Sequence, residues 1–203
     1  MTPEDFANKL NVSRETLDTL SAYVTLLLKW QSRINLISST TVNNIWQRHI
    51  FDSAQLVAYL PKMTSNRVRH ILDIGSGAGF PGIVLAILGA GRVQLVESDQ
   101  RKAVFLHTVI RELQLSADVV NQRIENLPAC RPDVITARAV AELPKLMSLI
   151  DAQLHVGLTC LFLKGEKIEE ELTNFETYSS MKAHLYPSMS HVNGVIVKLT
   201  TTR

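Results

Sequence analysis

The sequence predicts an α/β fold: a doubly wound, mostly parallel sheet with one antiparallel strand, preceded by a helical N-terminal extension. Three observations predict it. Apolar residues recur at helical spacing over the first sixty or so positions. From Val68 onward, short runs rich in branched side chains alternate with helical segments, the pattern of a parallel sheet covered by helices. The first of these runs leads directly into three glycines.

The extension spans residues 1–66 and the sheet domain residues 67–203. Thr2-Pro3-Glu4-Asp5 places a capping hydroxyl before a proline in the first turn, with an acid three residues after the cap, so a helix starts there. A longer helix follows from Ser13, with Leu17, Leu20, Val24, Leu27 and Leu28 on one face. Thr41 reads as the cap of a third helix carrying Ile45, His49, Ile50 and Val57. Val68–Ile74 reads as a buried parallel strand. A helix over Pro81–Ala90, a strand over Arg92–Glu97 and a helix over Arg101–Gln114 come next, the last with Val104, Phe105, Thr108 and Val109 inward. Strands are expected at Asp118–Gln122, Asp133–Arg138 and Leu158–Lys164, with a helix over Glu142–Gln153 between the last two. Lys182–Tyr186 and Gly194–Thr200 flank a Pro-Ser-Met-Ser-His-Val-Asn segment and read as a closing hairpin.

Composition narrows the function. A chain of 203 residues with 46% hydrophobic content can bury a core without staples. Its net charge of +2 permits a nucleic-acid partner without implying one. Cys130 and Cys160 form no C-x-x-C pair, and no His/Cys group has zinc spacing, so two reduced structural thiols and no metal are expected. The acidic start, Met1 to Phe6, lacks the apolar core of a signal peptide. Ile83–Leu88 is too short to span a bilayer. A soluble, cytoplasmic protein with no membrane partner is expected.

The glycines at 75, 77 and 79 lie in Asp73-Ile-Gly-Ser-Gly-Ala-Gly79, with Pro81 opening a helix. Glycine lets the backbone turn sharply and approach a ligand closely. The helix start offers unpaired N–H groups to an anion, such as the carboxylate of a methionine moiety. A dinucleotide fold competes: Gly77-Ala-Gly79-Phe-Pro-Gly82 matches G-x-G-x-x-G, and Glu97 follows Gly77 by 20 residues. That fingerprint should begin at Gly75, directly after the strand, and its third glycine would then fall on Phe80. An acid-led G-x-G-x-G therefore favours S-adenosylmethionine and a class I methyltransferase. The rivals are an NAD-dependent oxidoreductase and a non-catalytic S-adenosylmethionine-binding module. Glu97, closing the second strand, is placed to accept both ribose hydroxyls; the competing reading is a solvated strand end.

Beyond the glycine loop the chain resembles the RsmG (GidB) family, bacterial methyltransferases that modify N7 of a guanine in 16S ribosomal RNA. Trp30, Asn35-Leu36, Arg48-His49-Ile-Phe-Asp52-Ser53, Gly79-Phe-Pro-Gly82, Phe105-Leu106, Arg123-Ile-Glu125, Arg138-Ala-Val-Ala141 and Lys164-Gly165 carry the resemblance. Gln31, Ala54, Glu97 and the order Arg101-Lys102 depart from the family pattern. The resemblance implies S-adenosylmethionine as cofactor. It implies 16S ribosomal RNA or the small ribosomal subunit as partner, and a monomer. It places Gly75 and Phe80, with Gly77 between them, at the methionine and sulfonium end. Ile124 and Glu125 would flank the adenine, and Arg138 would face the pocket. Ile124 also reads as core, and Glu125 as a solvated turn. Arg138 ends an apolar strand and needs an anionic partner. His49 and Asp52 read either as a functional pair or as a local helical one. Guanine N7 carries a lone pair and no proton, so no general base is required and no catalytic residue is assigned. Arg101, Lys102, Arg123 and Lys164 are candidates for RNA phosphates.

Overall fold

The computed structural model describes residues 1–63, 66–173 and 181–201. Residues 64–65, beside the expected boundary between extension and sheet domain, lie outside the described residues. Helix α1 (Pro3–Leu10) opens on the expected capping box: the Thr2 hydroxyl accepts from Asp5 N–H, and the Asp5 carboxylate accepts from Thr2 N–H. Helix α2 (Arg14–Gln31) is capped by Ser13 and buries Leu20, Tyr23, Val24 and Leu27. Leu28, expected on that face, is exposed, and Tyr23 fills the stripe instead.

The third helix is irregular. Ser39–Asn44 is a 3₁₀ turn, Trp46–Phe51 a π-helix, Asp52–Ala54 a single α-turn (α3), and Gln55–Tyr59 again 3₁₀. Thr41 lies inside the first turn rather than capping a helix. The wider π turn shifts the side-chain register, so Val57, expected inward, is exposed.

Among the described residues, seven strands follow in the spatial order β3-β2-β1-β4-β5-β7-β6. They are β1 (His70–Ile74), β2 (Arg92–Val96), β3 (Ala117–Val120), β4 (Val134–Arg138), β5 (Thr159–Lys164), β6 (Met181–Pro187) and β7 (Val195–Thr201). β1 to β5 pair in parallel, and β7 lies antiparallel between β5 and β6. The connecting helices are α4 (Gly82–Ile87), α5 (Gln100–Leu113), α6 (Leu143–Leu149) and α7 (Ile168–Thr173). The last was not anticipated. On α5, Ala103, Phe105, Leu106 and Val109 are buried while Val104, expected inward, is exposed. No described helix is long and apolar enough to cross a membrane.

Among the described residues, two hydrophobic clusters sandwich the sheet. Phe6, Leu20, Tyr23, Leu27, Phe51 and Leu56 of the N-terminal helices share one with α4, α5 and the sheet residues Ile71, Val93, Leu95 and Leu161. The other joins α6 to Leu72, Ile74, Ile135 and Phe162. The N-terminal helices are thus part of one wall of the domain, and they bring α2 against the glycine loop.

Candidate functional site

The β1–α4 turn is held from four sides. Gly75, Gly77 and Gly79 turn at φ 62°, 57° and 93°. A Cβ on Gly75 would lie 2.7 Å from Val140 Cγ2, whereas one on Gly77 would meet only the Gly75 carbonyl oxygen at 3.8 Å. Gly77 therefore presents open backbone to the cleft. Ser76 N–H donates to the Val96 carbonyl at 3.2 Å, and the Ser76 hydroxyl to the Asp73 carbonyl at 2.9 Å. From α2, the buried Tyr23 hydroxyl donates to the Ala78 carbonyl at 2.5 Å. From the end of β2, Glu97 Oε2 accepts Gly77 N–H at 2.7 Å, and its Oε1 accepts Asp99 N–H at 2.7 Å.

Asp73, which precedes the glycines, is fully buried. Its Oδ1 accepts the Thr136 hydroxyl at 2.6 Å. Gly82 leaves the room it needs, since a Cβ there would sit 2.7 Å from Asp73 Oδ2. Burial pushes the Asp73 carboxyl up to about 6, against hydrogen bonds that favour the ionised form.

Arg138 closes β4, and Ala139 then turns the chain at a positive φ of 53°. The guanidinium lies 4.8 Å from the centroid of the Phe80 ring and 3.8 Å from the Asp52 carboxylate. The anionic partner that the strand end required is therefore Asp52. Burial lowers the Arg138 pKa, and Asp52 opposes that shift.

His49 takes a different partner. Its ring stacks on Phe80 at 5.0 Å, and Nε2 lies 2.8 Å from Thr41 Oγ1. The Thr41 hydroxyl proton goes to the Ser38 carbonyl, so His49 Nε2 must be the donor to Thr41. Its Nδ1 is buried without a partner among the described residues. Burial, then Arg138 and Arg48, lower the His49 pKa to about 3, so the ring is neutral at physiological pH. The expected His49–Asp52 pair does not form. Asp52 instead accepts from Gln55 Nε2 at 3.0 Å and from the hydroxyls of Ser188 and Ser190. These contacts fasten the β6–β7 loop over the site.

A cleft of about 720 Å³ opens at the carboxyl ends of β1, β4 and β5. It brings together four of the sequence-derived site residues: Gly75, Gly77, Phe80 and Arg138. Glu97 reaches it only through the Gly77 amide. Ile124, buried against the second cluster, and Glu125, exposed on the same 3₁₀ turn, do not line it. Lys164 does line it, but as an internal cation: its Nζ pairs with Glu171 at 2.6 Å and donates to the Ala141 carbonyl. That arrangement removes Lys164 from the phosphate candidates.

Sequence reasoning missed Tyr23, Asp52 as the Arg138 partner, and the β6–β7 loop. The available signal was a tyrosine on the apolar stripe of α2, because a buried Tyr hydroxyl needs a hydrogen-bond partner.

The fold and its glycine cradle define a class I S-adenosylmethionine-dependent methyltransferase. A glycopeptide N-methyltransferase complexed with sinefungin superposes with TM-score 0.62 at 9% identity, over 75% of this chain and 94% of that one. A ribosomal protein L11 methylase from Lactobacillus delbrueckii subsp. bulgaricus superposes with TM-score 0.59 at 13% identity, over 75% and 77%. A family model described as "rRNA small subunit methyltransferase G" matches residues 16–197, and the chain belongs to that family, GidB. Proteins named ribosomal RNA small subunit methyltransferase G are 45% identical in Rhodospirillum rubrum and 46% identical in Cereibacter sphaeroides, each over 98% of this chain and 97% of the relative.

Proposed function

We propose that this chain transfers the methyl group of S-adenosylmethionine to N7 of a guanine in the 16S RNA of the small ribosomal subunit. The match to the family over residues 16–197 supports the reaction and the RNA. The resemblance of the Gly79-Phe-Pro-Gly82 and Arg138-Ala-Val-Ala141 segments supports the atom. The same reading makes the protein a cytoplasmic monomer.

When bound, S-adenosylmethionine supplies an electrophilic methyl group. The chain's own residues bind and orient. Gly75 and Gly77 receive the methionine end: Gly75 lets the chain turn tightly against Val140, and Gly77 presents open backbone that a ligand can approach closely. Glu97 holds the ribose with the lone pairs that its two amide contacts leave over. Ile124 and Glu125 flank the adenine. Phe80 and Arg138 wall the sulfonium end.

One observation carries the mechanism: among the described residues, every carboxylate lining the cleft is already engaged. Asp52 is held by Arg138 and the serines, Glu171 by Lys164 and Leu143 N–H, and Glu166 by the Asn193 amide at 2.8 Å. His49 is a ring whose low pKa of about 3 makes it a poor proton acceptor. Such a site suits an acceptor that has no proton to lose, and its rate arises from positioning and exclusion of water. The test is incubation of the protein with labelled S-adenosylmethionine and either naked 16S RNA or small-subunit particles, followed by mapping of the modified base. Label at one guanine N7 is expected. Label on an exocyclic amine, on a protein, or nowhere would overturn the proposal.

A further inference from the structure

We propose that the groove between α2 and α5 docks the phosphate backbone of the RNA that carries the target base. The proposal rests on the RNA substrate proposed above. The fold sorts its cations. Arg67, Arg92, Arg138 and Lys164 each pair with a carboxylate. Lys29 and Arg33, at the end of α2, are exposed and have no ion pair among the described residues. With Trp30, and with Thr108, Arg111 and Glu112 of α5, they enclose a groove of about 230 Å³. Its only acid among the described residues, Glu112, reaches Arg111 at 3.9 Å from an exposed position, a contact worth little in water. Three cations therefore face one acid in a protein whose whole net charge is +2.

The groove is also continuous with the cofactor end of the sheet. Arg101, Val104, Thr108 and Arg111 recur at helical spacing and share one stripe of α5. Arg101 starts that stripe just after β2, and its side chain has no ion pair among the described residues. Ten residues of helix separate Arg101 from Arg111, about 15 Å. A nucleic-acid strand carries a charge every ~3.4 Å of helix axis, so the stripe matches several consecutive phosphates. Exposed Val104, the misplaced apolar residue of α5, lies on the same stripe and meets the RNA rather than the core.

The experiment measures binding of 16S RNA and small-subunit particles across salt concentrations, together with methyl-transfer kinetics. The parent and the triple variant Lys29→Gln/Arg33→Gln/Arg111→Gln are compared. Loss of three contacts should reduce the log–log salt slope by about 2 and raise the RNA KM about tenfold. The kcat at saturating RNA and the S-adenosylmethionine Kd should not change. Glu112→Gln, which leaves every cation in place, should shift affinity the other way. An unaltered slope in the folded triple variant, or no gain from Glu112→Gln, overturns the docking surface. A defect seen with particles but absent with naked RNA assigns the groove to a protein neighbour and also overturns it. A parent that methylates no RNA at any salt sinks the substrate reading first, an outcome read before any variant.

Discussion

At the scale of single residues, Glu97 and Tyr23 hold the glycine loop from opposite sides, and each can be tested with one atom changed. Both oxygens of the Glu97 carboxylate accept a backbone amide, which leaves one lone pair apiece for a ribose. In Glu97→Gln a donor replaces one of those oxygens and must face an N–H group. A charge-assisted hydrogen bond contributes about 1.5–3 kcal/mol, so S-adenosylmethionine should bind roughly tenfold to a hundredfold more weakly by calorimetry. An unchanged Kd in the folded variant would remove Glu97 from the cofactor site. Tyr23→Phe keeps the ring on Phe80, 5.4 Å away, but deletes the bond to Ala78. The stranded carbonyl costs about 1–3 kcal/mol. The cofactor KM should rise severalfold with kcat held, as expected of a residue that positions the loop. A fall in Tm with an unmoved KM would make Tyr23 a core residue and nothing more.

At the scale of elements, the π-helix Trp46–Phe51 explains what was legible and what was not. The strand–glycine–helix turn, the acid that closes β2 and the need of Arg138 for an anion were all readable, because each depends on neighbours in the chain. The partner of Arg138 was not. Residues three apart on an α-helix share a face, so His49 and Asp52 looked like a pair. With the π turn just ahead of Asp52, His49 faces Phe80 and Asp52 faces Arg138 and the β6–β7 loop. Periodicity alone does not reveal a π turn. Nor does a sequence show that Gln55, nearly fully buried, spans 133 residues to bond the Ser188 hydroxyl and 134 to accept Met189 N–H. That latch is testable. Gln55→Ala should destabilise the chain by about 1–3 kcal/mol by stranding buried polar groups. Amide exchange at Met189 should accelerate while that of Val197, in the middle of β7, stays slow. Equal acceleration at both positions would mean global loosening and no local latch.

At the scale of the whole molecule, two buried groups at the carboxyl edge of the sheet oppose each other in the response to acid. His49 titrates near 3 in the fold and near its ordinary 6.5 when unfolded. The unfolded chain thus binds the extra proton between those values, and the stability from keeping the ring neutral is lost as pH falls through that window. Asp73 titrates near 6 in the fold against an ordinary 3.8. Here the folded state holds the extra proton, so acidification from pH 6 to 4 adds stability. Between about pH 6 and 4 the two contributions run with equal and opposite slopes and nearly cancel, so the parent's Tm should stay nearly level there. His49→Gln removes the loss and leaves the Asp73 contribution, so its Tm should rise as pH falls over the same range. A variant whose Tm stays as level as the parent's would show that the buried ring does not govern acid stability. Neither group changes its mean charge much above pH 6.5, so single-turnover methyl transfer at saturating RNA should stay nearly flat from about pH 6.5 to 8.5. A steep rise in that interval, abolished in His49→Ala, would mean that the ring takes a proton from the acceptor and that the acceptor atom is not guanine N7.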